Sequence, residues 1–420
     1  MTNIIQSPYD KREYKYLELD NGLGVLLIHD DEATYSAASM TVGVGTYQDP
    51  IEFQGLAHFL EHMLFMGTEK YPDENHFMDY ISQHGGSSNA YTDSELTNYF
   101  FSIQQGYFEH ILDVFTHFFI DPLFKKDGVD REVNAVNSEH SKNITNDMWR
   151  FNGLLAEIAD EDTQYHKFGT GDLNTLNKDG LRDALLNFHN KYYSSNIMKL
   201  VVLGPQSLEE LEVYVMKCCP DIINKNVVIN NDNIQIPYSY PETMSTNSLL
   251  FARVLPLEQR HNLIMMWQLP TIRILYKYNI FSVLSHLLGH EGETSIYNNL
   301  KEHGLAIDLA SSVYEDDKNN TLFQIEIELT DKGFEDRLYV IELVHKYLEL
   351  LRKEGINESI YNEVKELEKN SFIFRSKSDE IDTVSTLSVN LNVYKPQDVL
   401  CTTSIMKDYD RLIQKLLVKY

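Results

Sequence analysis

The chain has 420 residues, of which 43% are apolar and 24% are charged, a composition that predicts a globular protein of two or three domains. Its formal net charge of −27, from 63 acidic and 36 basic residues, disfavours nucleic acid and anionic membranes as partners. The sequence contains no run of about 18 apolar residues, so it predicts no membrane span. The first residues do not have the pattern of a secretory signal. Three cysteines, an odd number, favour a reducing compartment, so we expect a cytoplasmic protein.

Residues 1–222 predict a first domain that begins with strands. Asn21-Gly22 is a turn dipeptide between two apolar stretches, which favours a hairpin. Leu56, Leu60 and Leu64 recur at helical intervals, which predicts a helix. In chain order, the predicted elements are strands at 16–19, 25–28 and 37–45, a helix at 53–65, two short strands within 87–103, a helix at 129–142 and a buried strand at 198–204.

Residues 223–248 are rich in Asn, Pro, Ser and Thr and predict a linker before a second domain at 249–420. The second domain ends in a predicted helical segment, 408–420, without an apolar closing strand like the one at 198–204. We therefore expect this domain to be truncated at its end. Its other predicted elements are strands at 249–254, 262–268 and 323–329 and helices at 334–354 and 358–376.

The two domains share a repeated motif. HFLEH at 58–62 has a counterpart in HLLGH at 286–290, and each is followed by a helical stretch, a His-Gly pair and a small-residue strand with Ser-Ser. Gly289 stands in the second copy where Glu61 stands in the first. The repeat therefore predicts two homologous domains, with the chemistry in the first domain and an inactive second domain.

His58 and His62 are four residues apart on the predicted helix, so both imidazoles project from one face at the separation of zinc ligands. Glu61 is placed to accept a proton from a zinc-bound water as a general base. A catalytic zinc ion usually has three protein ligands, and Glu132 and Glu139 share one face of a later helix. The spacing of Glu132 and Glu139 does not show which of them is the third ligand. The alternative to a zinc site is an ordinary helix that carries two exposed histidines and a glutamate.

The segment GLAHFLEHMLFMGTEKYP resembles the inverted zinc-binding motif, His-x-x-Glu-His, of the pitrilysin-type metallopeptidases (inverzincins), and most of all their insulysin branch. The resemblance implies that His58, His62 and Glu139 bind one zinc ion per chain. It also implies that Glu61 is the general base and that Glu132 is a second catalytic glutamate, which supports the site. Further similar segments are HGGSSNAYT (84–92), REVNAVNSEHSKN (131–143), HKFGTG (166–171), YYSSNIMKLVVLG (192–204) and GHEG (289–292).

The same resemblance implies where a peptide substrate binds. One strand would pair with the extended substrate as an added β-strand, which reads little of its sequence. A second region, with the strand edge near Ser311, would hold the N-terminal end of the substrate. The family leads us to expect glycines at 311 and 312, where serine side chains now intrude. The implied substrate-binding residues are Ser88, Asn89, Ala90 and Tyr91 in the first region and Gly289, His290 and Glu291 in the second.

Members of the insulysin branch have four homologous domains in two halves, and the resemblance covers the first half. We expect a C-terminal half or a partner subunit to close the chamber and to supply an arginine and a tyrosine that assist at the scissile carbonyl. The expected fold is α+β, with two homologous domains that are each a mostly antiparallel β-sheet covered by helices.

These features predict a zinc-dependent metalloendopeptidase that hydrolyses short or flexible peptides. One alternative is the catalytic subunit of a heterodimeric presequence-processing peptidase, for which an Arg-rich transit peptide is expected and is absent. The other alternative is a non-catalytic, zinc-containing scaffold that binds peptides. The intact Glu61 argues against a scaffold, whereas the missing second half argues for one.

Overall fold

Asn21 and Gly22 lie in the turn of an N-terminal hairpin in this computed structural model, which describes residues 2–229, 250–271 and 273–411. Gly22 has a φ of 81°, in the left-handed region that glycine adopts without strain. The two strands of the hairpin, β1 (Glu13–Glu18) and β2 (Gly24–His29), pair in antiparallel fashion. The predicted hairpin is therefore confirmed.

The described residues form two units, and the first contains those within 1–248 together with Ser376–Leu400. Its sheet has six strands in the order β1-β2-β6-β3-β5-β4. β6 is parallel to β2 and antiparallel to β3, so it lies in the interior of the sheet, and it is buried along most of its length. The remaining strands are β3 (Tyr35–Val42), β4 (Ser87–Thr92), β5 (Thr97–Gln104) and β6 (Met198–Gly204).

The helices of the first unit bury their apolar faces in one core with this sheet. Phe59, Leu60 and Met63 of α1 join Tyr99 and Phe101 of β5 in that core. Burying one such side chain stabilises the fold by about 1.5–3 kcal/mol. In chain order the helices are α1 (Leu56–Leu64), α2 (His76–Gln83), α3 (Phe108–Thr116), α4 (Lys126–Asn143), α5 (Asp147–Ile158), α6 (Leu173–Leu176), α7 (Leu181–Tyr192) and α8 (Leu208–Cys218).

The second unit contains the described residues within 249–375 and 401–420, and it has its own core. Its antiparallel sheet has the order β7-β9-β8, with β7 (His261–Pro270), β8 (Ala306–Asp316) and β9 (Asn320–Leu329). None of the helices described in either unit is long and apolar enough to span a bilayer. The helices of the second unit are α9 (Ile280–Leu288), α10 (Ile296–Glu302), α11 (Asp331–Glu335), α12 (Arg337–Glu354) and α13 (Glu358–Ile373).

The internal repeat that the sequence predicts is visible in the connectivity. Strand, two helices and two strands follow one another as β3, α1, α2, β4 and β5 in the first unit and as β7, α9, α10, β8 and β9 in the second. Each set of three strands also has the same order in its sheet. The predicted α+β fold with two related, helix-covered sheets is therefore confirmed. The first sheet is mixed, because β6 is parallel to β2.

One helix crosses the boundary that the sequence predicts for the second domain. α14 (Glu380–Val393) belongs to the first unit, where it packs on β3, β5 and β6. Ser388 on this helix accepts a hydrogen bond from Thr41 at 2.8 Å, and its hydroxyl lies 2.8 Å from that of Ser39. Because buried hydroxyl groups need partners, these polar strand residues favour a polar helix as their cover. The predicted range 249–420 therefore differs from the structure at 376–400.

A second difference concerns the predicted strand at 249–254. Residues 250–254 form no strand, and residue 249 lies outside the described residues. Most of the predicted linker 223–248 (230–248) and most of the predicted helical end 408–420 (412–420) also lie outside them, and residues 408–410 form no helix. The predicted strand at 262–268 is confirmed as β7, and the one at 323–329 is confirmed as part of β9.

The buried ring of His189 makes the stability of the first unit depend on pH. The ring is 5% exposed and stacks on Tyr193 with 4.8 Å between the ring centroids. Burial, assisted by the charge of Lys225, lowers the pKa of His189 to about 3. The folded protein keeps the ring neutral where an unfolded chain would protonate it, so this stability is complete above about pH 6.5 and is lost as the pH falls towards 3.

We expect the free energy of unfolding to fall by about 2 kcal/mol more between pH 7 and pH 5 in the wild type than in a His189→Gln variant, because each pKa unit corresponds to about 1.4 kcal/mol. Urea unfolding of both proteins at the two pH values measures the difference. Equal losses in the two proteins would contradict the assignment of a neutral, buried His189.

Candidate metal centre

The helix that carries the His-x-x-Glu-His motif is held at its start by a buried carboxylate. Asp49 accepts hydrogen bonds from the backbone N–H groups of Gly55, at 2.7 Å, and Ala57, at 2.8 Å. These are groups that a helix leaves without intrahelical partners, and Gly55 itself provides no capping side chain. Burial raises the pKa of Asp49 to about 7 against the opposing effect of these hydrogen bonds. Asp49 thereby sets where α1 begins.

Three side chains predicted as metal ligands lie together between α1 and α4. Nε2 of His58 is 3.3 Å from Nε2 of His62, and each is 3.5 Å from Oε2 of Glu139. A tetrahedral zinc ion with bonds of about 2.0–2.1 Å requires ligand atoms about 3.3–3.4 Å apart. The triangle therefore fits zinc. Within residues 2–229, 250–271 and 273–411, these three residues are the one group of three or more His, Cys, Asp or Glu side chains that could hold a metal ion.

The other nitrogen of each histidine is bound by the protein. Nδ1 of His58 donates to the carbonyl oxygen of Thr170 at 2.7 Å, and Nδ1 of His62 donates to Oε1 of Glu132 at 2.8 Å. With the proton on Nδ1, a neutral imidazole directs the lone pair of Nε2 towards Glu139. The geometry thus separates the two glutamates that the sequence left open. Glu139 faces both Nε2 atoms, whereas Glu132 orients His62 from behind.

Charge at the site favours a bound cation. Burial lowers the pKa of His62, but its hydrogen bonds to Glu132 and Glu139 outweigh this effect and raise that pKa to about 9. The neighbouring His62 holds the pKa of Glu139 below its usual value. Both shifts have the same origin, since carboxylates stabilise positive charge between them. A divalent metal ion would take the place of that proton.

Glu61 lies beside the ligands and is 7% exposed. Burial raises the pKa of Glu61, although the charge of His58 and a hydrogen bond from Thr92 oppose the rise. The Thr92 hydroxyl donates to Oε2 of Glu61 at 2.7 Å. A carboxylate whose pKa is raised towards the working pH can both accept and return a proton. Its surroundings therefore suit the general base that the sequence predicts.

An edge strand of the first sheet, β4, ends at a residue that contacts Glu61. β4 is the last strand in the sheet order, and it pairs with β5. It ends at Thr92, the residue that contacts Glu61. The predicted substrate-binding residues Ser88, Asn89, Ala90 and Tyr91 therefore lie on an edge strand that runs up to the candidate base.

Comparison with known proteins agrees with this geometry. The model of "Insulinase (Peptidase family M16)" matches residues 24–162, and that of "Peptidase M16 inactive domain" matches residues 181–368. The chain belongs to peptidase family M16. It is an insulysin-like member of this zinc metallopeptidase family, with a candidate His-His-Glu zinc site.

The M16 chain is 37% identical over 415 residues to the A-factor-processing enzyme of Saccharomyces cerevisiae, covering 97% of this chain and 40% of that protein. It is 38% identical over 426 residues to the human (Homo sapiens) insulin-degrading enzyme, with 99% and 41% covered. The crystal structure of pitrilysin superposes with a TM-score of 0.90 at 28% identity, covering 99% of this chain and 44% of that one. The chain thus spans about two fifths of the length of these relatives.

The predicted second substrate region lies in the second unit of the M16 chain. Gly289 ends α9, so His290 lies beyond the helix, whereas His62 lies within α1. Glu291 follows in the same loop. The HLLGH copy therefore does not place two imidazoles on one helical face. The Ser311 hydroxyl on β8 donates to the carbonyl oxygen of Ser285 at 3.2 Å, so this side chain packs against α9.

Sequence reasoning missed three residues of the site, namely Asp49, Thr92 and Thr170. Thr92 and Thr170 were inside segments that resemble the family, but their roles depend on contacts with α1. Thr170 reaches α1 because the backbones at Gly55 and Gly171 approach each other closely. A Cβ atom on Gly55 would lie 2.3 Å from Cα of Gly171. Gly55 also has a φ of 85°, so no other residue suits this position well. A glycine pair of this kind was the available signal.

Proposed function

We propose that this chain is the catalytic half of a zinc-dependent metalloendopeptidase that binds one zinc ion and hydrolyses short or flexible peptides. The observation that carries the proposal is the triangle of His58, His62 and Glu139 atoms at 3.3–3.5 Å with the buried Glu61 beside it. A structural zinc site needs no base next to its ligands. A hydrolytic site does.

In this proposal the residues of the chain move one proton. Bound zinc would polarise the attacking water and the scissile carbonyl. Glu61 accepts a proton from the water as its oxygen bonds to the carbonyl carbon, and it returns the proton to the amine nitrogen as the carbon–nitrogen bond breaks. Thr92 holds one oxygen of Glu61 at 2.7 Å, which orients the carboxylate for both transfers. Glu132 and Thr170 keep the histidines in the tautomer that binds metal.

The substrate class follows from β4. An exposed strand edge offers backbone N–H and C=O groups to any extended peptide, so sequence matters little and a folded segment cannot pair. Two relatives are named for processing a-factor and for degrading insulin. We propose that this chain likewise acts on peptides, with Ser88, Asn89, Ala90 and Tyr91 as the pairing strand. In the second unit, Gly289, His290 and Glu291 would contact the N-terminal end of the substrate.

The partner and the compartment are further parts of the proposal. Since the chain spans about two fifths of its relatives, we propose that a C-terminal half or partner subunit completes the active enzyme. Cys218, Cys219 and Cys401 are buried thiols, which supports a reducing compartment such as the cytoplasm.

Mass spectrometry of a long flexible peptide incubated with the zinc-loaded chain tests the function. We expect cleavage products that disappear after chelation and return when zinc is added back. The same assay is repeated with the purified C-terminal half of the yeast relative, to separate a missing half from a missing activity. If the peptide binds with equal affinity with and without zinc and remains uncut in both assays, the chain is a peptide-binding scaffold and the proposal is wrong.

A further inference from the structure

One loop of the first unit contacts both helices that carry the candidate metal ligands. This bridging loop (167–172) provides the carbonyl oxygen of Thr170 that accepts the hydrogen bond from Nδ1 of His58 on α1, at 2.7 Å. The ring of Phe168 in the same loop lies nearly perpendicular to that of His140 on α4, with 4.9 Å between the ring centroids. His140 directly follows the glutamate ligand in the sequence. The loop therefore joins the helix of the two histidine ligands to the helix of the third ligand.

The bridging loop is fixed to the segment that precedes α1. Nζ of Lys167 donates to the carbonyl oxygen of Tyr47 at 2.5 Å, and the backbone N–H of Phe168 donates to Oε1 of Gln54 at 2.7 Å. The close approach of the two glycine backbones lies at the other end of the loop. Because the group that accepts the proton of the histidine is a backbone carbonyl, its position depends on these contacts of the loop.

Lys167 also connects the loop with the carboxylate that holds the start of α1. Burial raises the pKa of Asp49, and the positive charge of Lys167 opposes this rise; the charge of Asp49 likewise opposes the fall that burial causes in the pKa of Lys167. Such an attraction is stronger where water does not screen the charges, and Asp49 is 2% exposed. Asp49 in turn accepts hydrogen bonds from Gly55 and Ala57. The two charges thus link the backbone of α1 with the loop that holds the ring of His58.

We infer that Lys167 is a positioning residue of the zinc site, which acts together with Asp49 through the bridging loop. With its ammonium group on the carbonyl oxygen of Tyr47, Lys167 holds the loop so that the carbonyl of Thr170 faces Nδ1 of His58. The proton of the neutral imidazole then stays on Nδ1, and the lone pair of Nε2 is left for the metal. The inference rests on the proposal that the site binds zinc, and it assigns part of the zinc affinity to a residue that is not a ligand.

Zinc affinity, measured at pH 7 by competition with a chromophoric chelator, tests the inference. Lys167→Met keeps most of the side-chain length but removes the charge and its donors, and we expect affinity to fall about tenfold, as for residues that orient a ligand. Asp49→Asn should cause a similar loss, because the amide nitrogen of asparagine cannot accept one of the two backbone hydrogen bonds. The double variant should also lose about tenfold and not about 100-fold, since both residues act through the same contacts.

Nitrogen-15 NMR of the histidine side chains gives a second readout, which a loss of stability alone would not change. The spectra are recorded on the metal-free protein at pH 8, above the usual titration range of histidine. We expect the proton of His58 on Nδ1 in the wild type and a mixture of the two tautomers in Lys167→Met. Lys167→Arg keeps the charge and the donors, so it should restore the wild-type tautomer and most of the zinc affinity.

A buried aspartate of the second unit provides a matched control. Asp317 is also 2% exposed and also accepts two backbone hydrogen bonds, from Asn319 at 2.6 Å and from Asn320 at 2.8 Å. Asp317→Asn therefore makes the same chemical change away from the ligands, and zinc affinity should stay within about twofold of the wild type.

Three results would overturn the inference. If folded Lys167→Met binds zinc as tightly as the wild type and keeps the same tautomer, the ammonium group does not position the site. If the two single losses multiply to about 100-fold, Lys167 and Asp49 act separately. If Asp317→Asn weakens zinc binding equally, the losses reflect general stability. Lys167→Gln, which keeps a donor but no charge, carries the same expectations should Lys167→Met not fold.

The inference and the proposed function can fail separately. A wild-type chain that binds no zinc would contradict the proposed function, whereas the tautomer of His58 in the metal-free protein would still decide the role of Lys167. Conversely, a chain that binds zinc and cleaves peptides equally well in the wild type and in Lys167→Met would keep its function and exclude this role.

Discussion

Replacing Glu61 with glutamine is expected to reduce peptide hydrolysis by about 10²–10⁴-fold, the usual contribution of a general base. Glutamine keeps the size of the side chain and can still accept the hydrogen bond from Thr92, but it cannot take a proton from water. Zinc content should remain near one ion per chain, because Glu61 is not one of the three residues that could hold the metal. Initial rates of cleavage, measured with zinc content by atomic absorption, give both values.

An exposed glutamate of the same unit provides the control. Glu69→Gln makes the same chemical change away from the ligands, and both the rate and the zinc content should equal those of the wild type. The assignment of Glu61 fails if Glu61→Gln cuts at the wild-type rate. It also fails if the variant loses zinc, because the loss of activity would then have another cause.

Zinc affinity should separate the two glutamates of α4. Glu139→Gln removes the carboxylate that faces both Nε2 atoms, at 3.5 Å from each, and we expect a loss of more than about 100-fold. Glu132→Gln leaves the three ligands in place but weakens the contact that orients His62, and we expect a loss of about 10–100-fold. Competition with a chromophoric chelator at pH 7 measures both affinities.

The order of these two effects is the critical result. If Glu132→Gln weakens zinc binding more than Glu139→Gln does, the roles of the two glutamates are reversed and the geometry has been misinterpreted. Glu69→Gln again serves as the control for the loss of one surface charge, and it should bind zinc with the affinity of the wild type.

Much of the fold follows from local sequence patterns. The hairpin at Asn21-Gly22, the apolar strand β6 and the alternation in β9 depend on neighbouring residues, and all three were predicted. The predicted strand at 249–254 could not be judged in this way, because a strand needs a partner and no local pattern supplies one; residues 250–254 form no strand. The return of α14 to the first unit was equally hidden, since it depends on polar groups of β3 and β5 that are far away in sequence.

The sequence by itself determined the chemistry of α1. Two histidines four residues apart with a glutamate beside the second have one arrangement on a helix, because helical geometry is local. Only the tertiary structure decided which glutamate of α4 faces the histidines and which residues hold their Nδ1 atoms. Those contacts join segments 70 and 112 residues apart, and the packing of whole helices and loops sets their distances. Periodicity places a side chain on a face, whereas packing determines what that face meets.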